Sequence, residues 1–93
     1  MKMFDVERYI TRHPDAAWRV FEDGAVIVSP TESVMHSLNP VGTRVWELAD
    51  GTLTIAEIAQ RITEEFDVTE EEATADMQEF VQALSDKGMI TIE

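Results

Sequence analysis

The sequence contains no cysteine and no long apolar segment. The absence of cysteine excludes disulfide bonds, thiolate metal ligands and cysteine nucleophiles. No apolar run approaches the roughly 18 residues that a membrane-spanning helix needs. Charged residues interrupt the first ten positions, so we predict neither a membrane segment nor a secretory signal. A cytoplasmic location is the resulting expectation.

Basic residues are also scarce. Seven Lys and Arg face 19 Asp and Glu, for a net charge of −12. Residues 1–50 carry five basic and eight acidic side chains (5 − 8 = −3), whereas residues 51–93 carry two and 11 (2 − 11 = −9). Nucleic-acid binding depends on Lys and Arg contacts to phosphates. We therefore predict that nucleic acid is not a partner.

The chemistry of an enzyme is hard to find in this composition. A catalytic site needs a nucleophile or base beside a suitable partner. The two histidines, His13 and His36, have no metal-ligand spacing, and the four glycines form no phosphate-binding loop. The sequence therefore predicts a non-enzymatic protein without a metal or a cofactor.

The 93 residues, 44% of them hydrophobic, suffice for one globular domain. Residues 1–16 lack clean periodicity and are predicted to be an extended arm before a domain at 17–93. Part of this arm is expected to pair with a neighbouring strand, because Val6, Tyr9 and Ile10 would not favour full exposure.

Residues 17–38 have the pattern of an antiparallel meander. Strands are predicted at 17–21, 25–28 and 33–38. Asp23-Gly24 is a typical hairpin turn between the first two. The third strand has no obvious covering element, so its edge is expected to be open.

The remaining residues predict three helices with clear N-caps, followed by a short terminal strand or packing tail at 89–92. Asn39 followed by Pro40 begins the first, Thr54 begins the second and Thr69 the third, the last two with a Glu three residues later. Trp46 is expected to anchor the core. The short connection at 66–68 suits a helix-turn-helix corner. The predicted class is α+β: a winged helix-turn-helix-like fold with a three-stranded antiparallel N-terminal sheet packed on three helices.

An open strand beside an apolar helix is the arrangement needed for β-augmentation, in which a guest peptide adds a strand to the sheet. A winged-helix DNA-binding protein and a self-associating scaffold are the alternatives. The acidic third helix argues against the first, and concentration-dependent light scattering would test the second.

Several motifs together resemble the PqqD family, also called the RiPP recognition element. The resemblance covers about residues 12–92 and rests on HPDAAWR (13–19), LNPVGTRVWEL (38–48), DG (50–51), TIAEI (54–58), Asp76 and KGMI (87–90).

The resemblance implies a fold of three strands packed on three helices. It also implies that the domain binds the leader of a ribosomally synthesised precursor peptide and presents it to a modifying enzyme, such as a radical SAM protein. The protein itself is expected to be a monomer or a homodimer. The residues that the resemblance implies for peptide binding are Val34, Met35, His36, Ser37 and Leu38 on the third strand, and Asp76, Met77, Phe80, Val81 and Leu84 on the third helix.

Overall fold

The computed structural model describes residues 5–29 and 35–93. In chain order, its elements are β1 (Tyr9–Arg12), β2 (Ala17–Phe21), β3 (Gly24–Val28), β4 (Met35–Leu38), α1 (Pro40–Leu48), β5 (Asp50–Thr54), α2 (Ile55–Glu65), α3 (Glu70–Asp86) and β6 (Ile90–Ile92). The strands form two antiparallel sheets, in the orders β2-β3-β4 and β5-β1-β6. The predicted α+β class is confirmed, but the second sheet was not predicted.

The β2-β3 hairpin differs by one residue from the sequence prediction. Phe21 pairs with Gly24, so the turn consists of Glu22 and Asp23, and Gly24 is the first residue of β3. A Cβ at Gly24 would overlap the carbonyl oxygen of Leu38. The glycine is therefore needed for the close approach of β3 to the end of β4.

The second sheet joins three segments that are far apart in sequence. Strand β1 lies between β5 and β6, with Ile10 opposite Ile92 and Thr11 opposite Thr91. Ile10 is fully buried in the core. Part of the predicted N-terminal arm thus pairs with neighbouring strands. β5 was not predicted, and its last residue, Thr54, is also the predicted N-cap of α2.

The predicted N-caps of all three helices are confirmed. Asn39 Oδ1 accepts a hydrogen bond from the Gly42 backbone N–H at 2.7 Å. Thr54 and Thr69 each form a reciprocal capping box with the glutamate three residues later. These bonds satisfy backbone donors that an α-helix leaves without intrahelical partners.

Trp46 occupies the centre of the core, as predicted, and is fully buried. Its ring meets Trp18 of β2 edge to face, with 6.1 Å between ring centroids. The Arg12 guanidinium lies 5.2 Å from the Trp18 ring centroid and donates 2.8 Å hydrogen bonds to the carbonyls of Trp46 and Glu47. These contacts tie both sheets to the C-terminal end of α1.

Candidate functional site

Strand β4 forms one edge of its sheet, and no strand of residues 5–29 or 35–93 pairs with its outer side. The two-residue turn makes Phe21 and Gly24 a hydrogen-bonded pair, so the backbone groups of Gly24 point towards β2. Along an antiparallel strand, successive residues direct their N–H and C=O groups to opposite sides of the strand. Those of Ile27 therefore point the other way, towards its partner His36 on β4.

The same alternation fixes which backbone groups of β4 are available. His36 and Leu38 direct their N–H and C=O groups to β3, whereas Met35 and Ser37 direct theirs to the free edge. Side chains alternate between the two faces of the sheet. His36 and Leu38 lie on the inner face, towards the helices, and Met35 and Ser37 lie on the outer face. An added strand would take its hydrogen bonds from Met35 and Ser37.

A cavity of about 350 Å³ lies between β4, α1 and α3, next to this edge. Its volume falls in the range of about 300–1,000 Å³ that is typical of ligand pockets. We call it the β4–α3 groove. The residues that line it are His36, Asn39, Val41, Gly42, Val45, Ile62, Ala73, Asp76, Met77, Glu79, Phe80, Ala83 and Leu84.

The groove has an apolar floor and an acidic rim. Buried Val45, Met77 and Leu84 contribute to the floor. Asp76 and Glu79 are exposed on α3 and line its edge. Because residues three or four apart share one face of a helix, α3 presents its apolar stripe to the floor and its two carboxylates to the rim.

The structure sorts the predicted site residues into separate groups. His36, Asp76, Met77, Phe80 and Leu84 come together around the groove. The other predicted residues do not line it: Val81 is fully buried in the core, Leu38 packs against the core, Met35 and Ser37 lie on the outer face of β4, and Val34 is outside the described residues.

Residues at the beginning of α1 line the groove but were not predicted to do so. Asn39, Val41 and Gly42 belong to the motif block at 38–48, and they also line the groove. Glu79 follows Asp76 by three residues, and Ala83 follows Glu79 by four. That helical spacing was the available signal for them.

Phe80 packs tightly against the beginning of α1. A Cβ at Gly42 would lie 3.3 Å from the Phe80 ring and 3.3 Å from Asn39 Oδ1. The absence of a side chain at Gly42 therefore sets how closely the ring approaches α1. This contact fixes the shape of one wall of the groove.

An ion pair joins α1 to α2. Arg44 Nε donates to Glu65 Oε1 at 2.8 Å, and Arg44 Nη2 donates to Glu65 Oε2 at 3.2 Å. The hydrogen bond to Glu65 raises the pKa of Arg44, against the opposing effect of burial. Both side chains are about one-third exposed, so solvent screening limits the pair to at most about 1 kcal/mol.

The groove can bind an extended apolar chain, because backbone groups lie along one side and apolar surface along the other. In the part of the chain that the structure describes, no three His, Asp or Glu side chains are grouped to hold a metal ion. No helix there is long and apolar enough to cross a bilayer.

Comparisons with known proteins agree with this fold. The model of the family described as coenzyme PQQ synthesis protein D (PqqD) matches residues 24–90. A search of curated proteins finds no match. The structure "TbiB1 in complex with the TbiA(beta) leader peptide" is similar, with a TM-score of 0.76 and 22% identity over 86% of this chain and 93% of that one. "Lasso peptide synthetase B1 complexed with the leader peptide" gives a TM-score of 0.75 and 21% identity over 88% and 96%.

Proposed function

Because the chain belongs to the PqqD family, we propose that it binds the leader segment of a ribosomally synthesised precursor peptide. The leader would add a strand to the free edge of β4 and place alternate side chains in the β4–α3 groove. The observation that carries this proposal is the juxtaposition of outward backbone groups at Met35 and Ser37 with the apolar groove.

The proposed function is binding without bond chemistry. By holding the leader, the domain would raise the local concentration of the precursor at its modifying enzyme, and strand pairing would fix the register. A radical SAM protein is one class of enzyme that fits this role. We propose a cytoplasmic location, and a monomer or homodimer as the working form.

Within this proposal, α2 and α3 with their short connection are of winged helix-turn-helix type. DNA binding is not favoured, because α3 begins with Glu70, Glu71 and Glu72 and then presents Asp76 and Glu79. These carboxylates would repel phosphates. A gel shift with random duplex DNA at low salt should show no complex.

The test begins with the reading frames beside the gene for this protein. A short peptide frame next to one for a modifying enzyme would supply the candidate leader, which can be synthesised and titrated by calorimetry. Hydrogen exchange then tests whether the leader pairs with the free edge of β4. On binding, the Met35 and Ser37 amides should gain protection, whereas those of His36 and Leu38 are already paired with β3. Binding without added protection at Met35 and Ser37 would contradict strand addition.

A further inference from the structure

The rim of the β4–α3 groove carries uncompensated negative charge. Asp76 and Glu79 are exposed, and neither forms an ion pair with any residue in 5–29 or 35–93. Among the groove-lining residues of the described chain there is no lysine or arginine. One turn apart on the same helix face, the two carboxylates are spaced to meet one long cationic side chain or two adjacent ones.

The charge on the rim is unevenly distributed along α3. Asp76 borders the part of the groove nearer the N-terminal end of the helix, Glu79 borders its middle, and Ala83 borders the part nearer the C-terminal end. The floor under both parts is apolar, with Met77 and Leu84 fully or almost fully buried. A guest chain in the groove thus meets an apolar floor throughout and carboxylates along only part of its length.

We infer that the groove selects a basic, apolar segment: an extended peptide with an aliphatic or aromatic residue directed to the floor and a Lys or Arg directed to Asp76 and Glu79. This inference rests on the proposed function and adds the chemical class of the guest. Charge complementarity favours such a peptide over a second copy of this chain. Two copies, each with a net charge of −12, would repel one another as their β4 edges approached.

The experiment is a selection of random twelve-residue peptides, displayed as a library, against the intact chain at low salt. We expect the enriched peptides to combine alternating apolar residues with Lys or Arg in excess of the starting library. Synthetic versions should bind Asp76→Asn/Glu79→Gln roughly five- to thirtyfold more weakly than the unmodified chain, as expected for the loss of two surface-type ion pairs. This difference should shrink between about 0.05 and about 0.5 M salt.

The matched control is Glu22→Gln/Glu64→Gln. It also removes two negative charges, but from exposed positions that do not line the groove, so it should change the affinity less than about twofold. If the two double variants weaken binding equally, overall charge rather than the rim governs affinity, and the inference is overturned.

Two further results would overturn the inference and are distinguishable. Enriched peptides that protect the Met35 and Ser37 amides but show no basic excess would leave the proposed function standing and refute the basic guest. A selection that enriches no peptide, or only peptides that bind without protecting these amides, would refute strand addition and the basic guest together.

Discussion

Replacing Ser37 by proline tests strand addition most directly. Proline removes the backbone N–H that Ser37 directs to the free edge, and it leaves the β3-β4 hydrogen bonds of His36 and Leu38 in place. The preceding residue is already extended, which is the conformation that a following proline favours. The Ser37 side chain lies on the outer face, away from the groove. The substitution therefore acts on the edge and spares the floor.

The size of the effect follows from the hydrogen bond that is lost. A backbone hydrogen bond contributes about 0.5–1.5 kcal/mol net, and leaving the guest carbonyl without a donor costs about 1–3 kcal/mol if it stays buried. These alternatives bracket a loss of about 0.5–3 kcal/mol. The leader should therefore bind roughly 2- to 150-fold more weakly.

Calorimetry with the leader peptide measures this change, and circular dichroism with thermal unfolding checks that the variant is folded. Two control variants show whether a loss of affinity is specific to the backbone N–H at the free edge of β4. Ser37→Ala keeps the N–H and should bind within about twofold of the unmodified protein. Val20→Pro removes an outward N–H from β2 at the opposite edge of the same sheet and should also leave affinity unchanged.

Unchanged affinity in a folded Ser37→Pro protein would refute the reasoning, because a guest strand on β4 cannot avoid that position. Equal losses in Ser37→Pro and Val20→Pro would also count against it. They would indicate a general distortion of the sheet rather than a specific edge.

Two further variants test other parts of the structure. Gly42→Ala places a Cβ 3.3 Å from the Phe80 ring, so the affinity for the leader, measured by calorimetry, should fall. The gain in helix propensity should keep the free energy of unfolding, measured in urea, within about 1 kcal/mol of that of the unmodified protein. Unchanged affinity would contradict the role of this contact. Ile10→Ala removes a fully buried side chain from β1 and should lower the free energy of unfolding by about 2–5 kcal/mol in urea, whereas a loss below about 1 kcal/mol would show that β1 contributes little to the core.

Local sequence signals predicted the elements that depend on neighbouring residues. Each helix begins where its N-cap indicated, because Asn39, Thr54 and Thr69 bond to backbone donors three residues away. The hairpin was found as well, but its turn was placed one residue late. Asp23-Gly24 is a common turn pair. Here Gly24 instead lies in β3, where the absence of a side chain leaves room for the carbonyl oxygen of Leu38 in β4.

The second sheet as a whole could not be predicted from such signals, although pairing of the N-terminal arm and a short strand or packing tail at 89–92 were expected. Strands β1, β5 and β6 have four, five and three residues, which is too short for a clear alternation of apolar and polar residues. They pair only because the fold brings segments near residues 10, 52 and 91 together. Ile10 therefore lies in the core, within a segment that lacked periodicity.

Sequence by itself determined the family, the α+β class, the helix caps and the acidic character of α3, since motifs, caps and charge are properties of short segments. Tertiary structure decided which side of each element faces the groove. Met77, Phe80 and Leu84 line it while Val81 enters the core, and β4 turns the backbone of Ser37 outward and that of His36 inward. Such orientations depend on how α3 and β4 pack against α1 and β3, and one apolar stripe is compatible with more than one packing.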